Sequence, residues 1–287
     1  MKNSLPTSSK SHESRINEIA EIIVKTAKTK VAFVILFGSF ARGNWIRYRY
    51  SEGGAIHEYA SDYDFLVITK NSVSANGGNF FNLERKIKKE IETSTPSREI
   101  HQSHIIIESS ERINDALKKS QHFFSDIIKE GIILYDCGEF ELSEPEEFQK
   151  EQKEKNAKAN YEHWFGGATG FLADYKSAIE RNDYKRASFY LHQATESFYN
   201  CALLTLGGYK PKSHDLEELN QLCVFYSHDF LTIFPKATHE QKECFAILQK
   251  SYIDARYSQS FDVSKWQLEY LNRRVEDLKL LVESICK

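Results

Sequence analysis

The chain has few cysteines, no long apolar run and little net charge, and each shortage narrows the functions open to it. Five cysteines are scattered among 287 residues, at positions 137, 201, 223, 244 and 286, and no two form a CxxC pair. They predict buried thiols in a reducing compartment rather than a disulfide framework or a zinc site. No stretch is apolar enough to cross a bilayer, and the N-terminal segment MKNSLPTSSKSHESR lacks a hydrophobic signal core. We therefore expect a cytoplasmic protein with no membrane partner.

The charge balance also limits the partners. A formal net charge of −3 at neutral pH provides no overall basic surface for a polyanion, so nucleic acid is not an expected partner. With 41% hydrophobic residues, a chain of this length can fill two modest domains.

Two motifs near the N-terminus carry most of the chemical information. Residues 31–43, VAFVILFGSFARG, predict an apolar strand, a Gly-Ser turn and the start of a short basic helix. Residues 61–70, SDYDFLVITK, begin with Asp62 and Asp64 and continue as an apolar strand. Side chains two residues apart on a strand share a face, so these two carboxylates can bind one or two divalent cations.

The Gly-Ser turn adds the second half of a nucleotide site. Gly38 and Ser39 present backbone N–H groups at a helix start, where anions are favoured. A backbone phosphate-binding turn next to a pair of carboxylates is the minimum that an active site needs for metal-assisted transfer of a nucleotide.

At these residues the chain resembles a known family. GSFARG followed by SDYDFLV is similar to the signature of the minimal nucleotidyltransferases, within the DNA polymerase beta superfamily. The resemblance covers about the first half of the chain and implies that Asp62 and Asp64 bind Mg²⁺. It also implies that Gly38 and Ser39 hold the phosphates of an NTP, with Arg42 as a further nucleotide-binding residue.

The chain departs from this family at the third carboxylate, which the family places on a neighbouring strand. The corresponding stretch is HQSHIIIES, residues 101–109, and the position of the acid is taken by His104. We expect His104 to ligate a metal or to act as a weak base, with a catalytic role in either case. Glu99 and Glu108 are the carboxylates that could substitute for the missing acid.

A second departure is a longer connector between the Gly-Ser turn and the aspartates. The arms WIRYRY and AIHEYA surround Ser-Glu-Gly-Gly and predict a hairpin within residues 44–60. The hairpin could lean over the nucleotide, with Arg47 and Arg49 on its phosphates, or it could be a surface ornament.

The rest of the pattern divides the chain into domains. Alternating helix and strand signals predict an α+β domain with a small mixed sheet over residues 1–138. A charged linker follows over 139–154. Residues 155–287 predict an all-α bundle, because long helical segments are separated by short breaks. The predicted segments are 155–180, 183–206, 214–227, 238–257 and 264–286.

The predicted bundle resembles the HEPN family, which is often paired with minimal nucleotidyltransferases. The resemblance lies in LHQATE, within residues 187–219, and in YIDARYSQSF, residues 252–261. Some members of the family are ribonucleases that use an Arg, a short polar spacer and a His. Here Arg256 would be that Arg, but Phe261 lies where the His is expected, so we predict no RNA cleavage.

His192 and Glu196 are spaced i, i+4 and therefore share a face of one predicted helix. With Arg256 and Tyr257 they could line a pocket beside the transferase site, in which Glu196 is a catalytic general base on the acceptor and the other three contact the nucleotide. The alternative, which we slightly favour, is a buried polar network that holds helices together.

Taken together, the sequence predicts a Mg²⁺-dependent nucleotidyltransferase that moves a nucleoside monophosphate from an NTP, most simply ATP, to a hydroxyl of a small molecule or protein. In similar two-domain transferases the bundle often belongs to the opposite subunit, so a homodimer is compatible with the resemblance. The alternative is a non-catalytic nucleotide-binding or regulatory module, related to toxin–antitoxin pairs and without RNase activity.

Overall fold

The structure is a computed structural model, and it describes residues 1–2, 4–52, 55–71, 80–95, 101–118, 122–145, 150–211 and 213–287. The chain divides into two compact units. The first contains residues 1–48 and 59–147, and the second contains residues 49–58 and 148–287.

Helices and strands alternate in the N-terminal half, as the sequence predicts. After a 3₁₀ turn over Thr7–His12, the elements are α1 (Glu13–Ala27), β1 (Val31–Phe37), α2 (Gly38–Arg42), β2 (Arg47–Glu52), β3 (Ala55–Ala60), β4 (Tyr63–Thr69), α3 (Phe80–Ser94), β5 (Ser103–Ser109), α4 (Ser110–Lys118), α5 (His122–Glu130) and β6 (Ile132–Asp136). Strands β2 and β3 pair as a two-stranded sheet, which confirms the two arms of the predicted hairpin. Its turn residues Gly53 and Gly54 lie outside the described residues.

Among the described residues, four strands form a mixed sheet in the order β5–β4–β1–β6. Strand β1 is antiparallel to β4 and β6, whereas β4 is parallel to β5. This confirms the predicted α+β fold with its small mixed sheet. The register places Phe37 opposite Asp64, and Asp64 opposite His104. These three residues therefore form a row across the sheet, where β1 ends and where β4 and β5 begin.

Strand β1 is buried along its whole length, because helices cover both faces of the sheet. On one face, alternate strand residues pack in one cluster with the apolar side chains of α1 and α3. That cluster includes Val34, Leu36, Phe65, Val67, Ile16, Ile19, Ile23, Leu83 and Ile87. On the other face, Phe37 meets Phe123 of α5 edge to face, with ring centroids 6.0 Å apart. The row of site residues thus begins on a rigid, fully buried strand.

The chain beyond residue 150 is helical, which confirms the predicted all-α bundle. Its helices are α6 (Lys150–Glu180), α7 (Tyr184–Gly207), α8 (Leu216–Val224), α9 (His239–Lys250), α10 (Asp254–Tyr257) and α11 (Lys265–Cys286). Helix α7 is central, since it packs against all the others and buries residues such as Leu191 and Phe198. None of the described helices is long and apolar enough to span a membrane.

Polar side chains fix where several of these helices begin. Asp215 accepts hydrogen bonds from two backbone N–H groups at the start of α8. Thr238 with Gln241, and Ser264 with Gln267, form capping boxes at the starts of α9 and α11. Each of these three caps accepts hydrogen bonds from backbone N–H groups that have no partner within the first turn of the helix.

The predicted helix over residues 238–257 is interrupted, so that the prediction of one continuous helix is wrong. Helix α9 ends at Lys250, and the short α10 begins at Asp254, after three intervening residues. The hydroxyl of Ser251 donates to the Ile247 carbonyl at 2.7 Å, and so does the backbone N–H of the same serine at 3.0 Å. A serine hydroxyl that competes for a helix carbonyl in this way is typical of bends.

Candidate functional site

The loop after β1 lies directly against the carboxylate of Asp64. Gly38 has a φ of +72°, a conformation that side chains disfavour. A Cβ atom built on Gly38 would lie 2.1 Å from Oδ2 of Asp64, closer than real atoms approach. Glycine is therefore required here for two reasons, the backbone conformation and the space that the carboxylate occupies.

Ser39 and Arg42 lie on the short helix α2 that follows. Ser39 is buried, and its carbonyl accepts hydrogen bonds from the N–H groups of Gly43 and Asn44, which closes the helix. Arg42 forms an ion pair with Glu130 of α5, at 3.7 Å between Nη1 and Oε2. Its guanidinium is thus already partly neutralised within the unit.

His104 is hydrogen-bonded to the second predicted metal ligand. Its Nδ1 lies 3.1 Å from Oδ1 of Asp64, and the imidazole is 3% exposed. An N–H at this position donates to the carboxylate. Asp64 therefore has one oxygen on the imidazole and the other against the backbone of Gly38. The histidine occupies the position at which the resemblance implied a third carboxylate.

Glu108 does not lie beside the aspartates. It pairs in register with Ile68, four residues along the sheet from the Asp64–His104 pair. At about 3.3 Å per residue the separation is about 13 Å, too far for both to contact one cation. The expectation that Glu108 could substitute for the missing acid is therefore wrong, and Glu99 lies outside the described residues.

The sequence predicts that Asp62 lies at the start of the strand. In the structure, β4 begins one residue later, at Tyr63. The residue before Asp62, Ser61, is hydrogen-bonded to the segment that precedes β2 and not to the four-stranded sheet. The N–H of Ser61 donates to the carbonyl of Ile46, and the Ser61 hydroxyl accepts from the Ile46 N–H, both at 2.9 Å. Asp62 therefore lies in the connection between the hairpin and β4.

Whether Mg²⁺ fits here depends on the donors that the chain supplies. Across the described part of the chain there is no cluster of three or more His, Cys, Asp or Glu side chains able to hold a metal. Mg²⁺ usually binds proteins through one or two carboxylates and completes its shell with water and substrate phosphates. Asp64, whose carboxylate lies against the Gly38 backbone, and Asp62, two residues before it, are carboxylates of the kind that suit a cation arriving with a nucleotide.

The remaining predicted residues lie in the helical unit, where Glu196 has an unexpected partner. His214 lies in the loop before α8, and its Nδ1 is 3.0 Å from both carboxylate oxygens of Glu196. Glu196 is 13% exposed. From the sequence, His214 flanks the Gly-Gly-Tyr-Lys-Pro loop and is interpreted as an ordinary turn or cap residue, because a lone histidine there carries no signal of its own.

His192 is fully buried on the same helix. Burial lowers the pKa of His192 from its ordinary 6.5 to about 4, and the nearby charges of His214 and Arg256 act in the same direction. The imidazole is therefore neutral at physiological pH. Its ring stacks on Tyr252, with centroids 5.3 Å apart.

Arg256 and Tyr257 extend this cluster towards solvent. The Nε–H of Arg256 donates to the carbonyl of Tyr252 at 2.7 Å, and its guanidinium carbon lies 4.6 Å from the Tyr252 ring centroid. The ring of Tyr257 is 5.0 Å from the same guanidinium, and Tyr257 is 74% exposed. The structure thus brings His192 and Arg256 to Tyr252, with Tyr257 against Arg256, within one unit.

The fold and these residues define a nucleotidyltransferase-type α+β domain followed by a helical bundle, and the comparisons with protein families agree. Residues 17–139 match the family described as Polymerase beta, Nucleotidyltransferase. Residues 161–285 match the HEPN domain. The chain therefore joins a polymerase beta-type nucleotidyltransferase domain to a HEPN domain. Among curated proteins, no relative matches it.

Proposed function

We propose that this protein is a Mg²⁺-dependent nucleotidyltransferase that transfers a nucleoside monophosphate from an NTP, with ATP as the expected donor, to a hydroxyl group of a small molecule or a protein. The observation that carries this proposal is the contact between the Gly38 backbone and the Asp64 carboxylate. It brings the turn that would bind phosphate and a residue that would bind the cation to the same point.

Each residue of the N-terminal site has a distinct role in this proposal. Bound Mg²⁺ would neutralise charge on the triphosphate and orient its α-phosphorus. Asp62 and Asp64 would hold the cation, and the backbone N–H groups after Gly38 would hold the pyrophosphate end. His104 would fix the orientation of Asp64 through its hydrogen bond, and this would keep one carboxylate oxygen directed away from the imidazole.

The acceptor hydroxyl needs a group that removes its proton, and Glu196 is our candidate. A carboxylate that is partly exposed and held by His214 has a defined orientation, as a general base requires. His192, Arg256 and Tyr257 would then bind the nucleotide or acceptor beside it. The same contacts also suit a polar network that connects α7 to the following loop, which remains the competing explanation.

The proposal includes the organisation of the whole protein. We place the transferase domain at residues 1–138, a charged linker at 139–154 and the HEPN-like bundle at 155–287. A cytoplasmic location is supported by the scattered cysteines, and a homodimer would allow the bundle of one subunit to complete the site of the other.

A second function is favoured by a specific observation, the histidine in place of the third carboxylate. A site with two acids can bind a nucleotide and still transfer it poorly, because a two-metal mechanism needs ligands for both cations. The alternative is therefore a non-catalytic nucleotide-binding or regulatory module. Its relation to toxin–antitoxin pairs would be one of descent, without RNase activity.

Calorimetry with Mg²⁺ and a non-hydrolysable ATP analogue tests the shared part of both proposals. Replacing Asp62→Asn together with Asp64→Asn should abolish metal-dependent binding, whereas Asp115→Asn, an exposed carboxylate on α4, should leave it unchanged. Unchanged affinity in the double variant would contradict the site. Pyrophosphate release from ATP with candidate acceptors then separates the transferase from the binding module.

A further inference from the structure

Asp62 lies directly before β4, whereas Asp64 lies within β4 and is paired in register with both β1 and β5. The two neighbours of Asp62 in the chain, Ser61 and Tyr63, are both buried. What holds these two neighbours therefore constrains the backbone from which the Asp62 carboxylate projects.

Ser61 is held from two directions. Its reciprocal hydrogen bonds with Ile46 close the base of the hairpin. On the other side, the Ser61 carbonyl lies 2.7 Å from Nδ1 of His101, a buried residue just before β5. Because a carbonyl can only accept, Nδ1 of His101 carries the hydrogen, which fixes the tautomer of this histidine.

Tyr63 is held in the same manner. Its backbone N–H donates to the carbonyl of Gln102 at 2.8 Å, and its hydroxyl lies 2.8 Å from Nδ1 of His12. His12 ends the 3₁₀ turn before α1. Three separate segments of the chain therefore meet at the residues on either side of Asp62.

The rings of these residues pack as one group. The group consists of His12, Phe40, Trp45, Tyr63 and His101. The His12 and His101 rings meet edge to face at 5.0 Å, and the Phe40 and Tyr63 centroids are 4.5 Å apart. Aromatic contacts of this kind restrict movement in addition to burying area.

We infer that His101 is a positioning residue, which fixes the Asp62 carboxylate for a divalent cation through its hydrogen bond to the Ser61 carbonyl. This inference rests on the proposed function, because it takes Asp62 as a cation ligand. The brace formed by His101 and the packed rings acts on Ser61 and Tyr63, the residues on either side of Asp62. With only two carboxylates to bind the cation, the orientation of each must be set before the cation arrives.

Two replacements of His101 separate its hydrogen bond from its ring. In His101→Asn, the side-chain N–H₂ can take the place of Nδ1–H and donate to Ser61, although the ring is lost. In His101→Phe, the ring packing is kept and the donor is lost, which leaves the Ser61 carbonyl without this partner. If the hydrogen bond positions Asp62, asparagine should rescue cation binding better than phenylalanine does.

Electron paramagnetic resonance of Mn²⁺, in the presence of a non-hydrolysable ATP analogue, measures the dissociation constant of Mn²⁺ from the complex of protein and nucleotide. We expect His101→Phe to raise it about tenfold, in line with the loss of one hydrogen bond at a buried carbonyl. We expect His101→Asn to stay within about threefold of the wild type on the same scale. Thermal melts identify the temperature range in which each variant is folded.

Tyr63→Phe provides a second variant if His101→Phe does not fold. It removes only the hydroxyl that contacts His12 and should raise the dissociation constant about threefold. If the wild type binds no Mn²⁺ with the nucleotide, the proposed function and this inference both fail. If the wild type binds and the folded variants bind equally well, the inference alone is wrong. Equal weakening by Asn and Phe would also overturn it, since the ring and not the donor would then matter.

Discussion

A Cβ atom on Gly38 would lie 2.1 Å from the Oδ2 atom of Asp64, so the turn after β1 and the aspartate of β4 cannot both keep their places if Gly38 gains a side chain. The opposite oxygen of Asp64 is hydrogen-bonded to His104. The carboxylate therefore cannot move away by rotation without breaking that contact.

Replacing Gly38→Ala should weaken metal-dependent nucleotide binding. Gly138 offers a matched control, because its φ of +73° is nearly the same and no atom lies within 4 Å of its would-be Cβ. Both alanine variants should lose about 1 kcal/mol of stability from the left-handed backbone. Only Gly38→Ala should raise the dissociation constant of the Mg²⁺–nucleotide complex, by tenfold or more, in calorimetry. Equal binding by the two variants would show that the close approach to Asp64 has no role.

In the variant His104→Asp, the stability of the protein should depend more strongly on divalent cations than in the wild type. Two nearly buried carboxylates in register repel each other, which lowers the free energy of unfolding unless a cation lies between them. Thermal melts should show a lower melting temperature without Mg²⁺ and a larger increase on adding it than in the wild type. The neutral His104→Asn serves as the control and should respond to Mg²⁺ as the wild type does. A response of His104→Asp that equals this control would mean that position 104 does not face the cation.

Much of the fold follows from the sequence because the local signals are strong. The apolar spacing and the many charged residues of FFNLERKIKKEIETS are typical of a surface helix, and this stretch forms α3, Phe80–Ser94. The apolar runs give β1, β4 and β5, and turn signals such as those at Gly207 and Gly208 separate the helices. Capping is less predictable from sequence. The motif Ser-His-Glu-Ser at residues 11–14 is typical of a capped helix start, but a 3₁₀ turn runs directly into Glu13, and no side-chain hydrogen bond caps the helix.

The candidate site is predictable only where its residues belong to one motif. The Gly-Ser turn and the aspartates were found because their order in the sequence is typical. The bond from His101 to Ser61 spans 40 residues, and that from His214 to Glu196 spans 18. Such contacts depend on strand register and loop path, which no local pattern specifies. The same applies to Glu108, which was excluded only after the β4–β5 register was known.

The free energy of unfolding of the helical unit should decrease as the pH is lowered from about 6.5 to 4, because of His192. The pKa of His192 is about 4 in the folded protein and 6.5 ordinarily, so over this range the unfolded chain binds a proton that the native state does not. The stability that comes from the neutral His192 is fully present above pH 6.5 and is lost as the pH falls to 4. The difference between the two pKa values corresponds to about 3 kcal/mol in the free energy of unfolding. In urea titrations followed by circular dichroism, His192→Phe should flatten this part of the profile. The exposed His239→Gln should not, and a flattening by His239→Gln alone would contradict the assignment.

The purified protein should not cleave RNA. Arg256 is held by Tyr252 and by surrounding rings, and no histidine lies in the fully described segment from Tyr257 to Lys265. Without that partner, the Arg, spacer and His combination of the ribonuclease members is incomplete in this chain. Incubation with a mixed RNA followed by gel electrophoresis provides the measurement. Time-dependent cleavage that disappears in Arg256→Ala would overturn the prediction.

The last prediction concerns whether Glu196 is a base or a structural residue. Glu196→Gln keeps the size of the side chain and an acceptor for His214, but it cannot remove a proton. A general base acts in the transition state, so the variant should lower kcat of nucleotidyl transfer 10²- to 10⁴-fold, as estimated for such catalysis, and leave the affinity for Mg²⁺–nucleotide unchanged. Glu162→Gln, an exposed glutamate on α6, is the control and should change neither quantity. A polar network predicts the reverse pattern, in which Glu196→Gln lowers the melting temperature while kcat stays close to that of the wild type. That outcome would assign Glu196 to the stability of the bundle and leave the acceptor without a base from this helix.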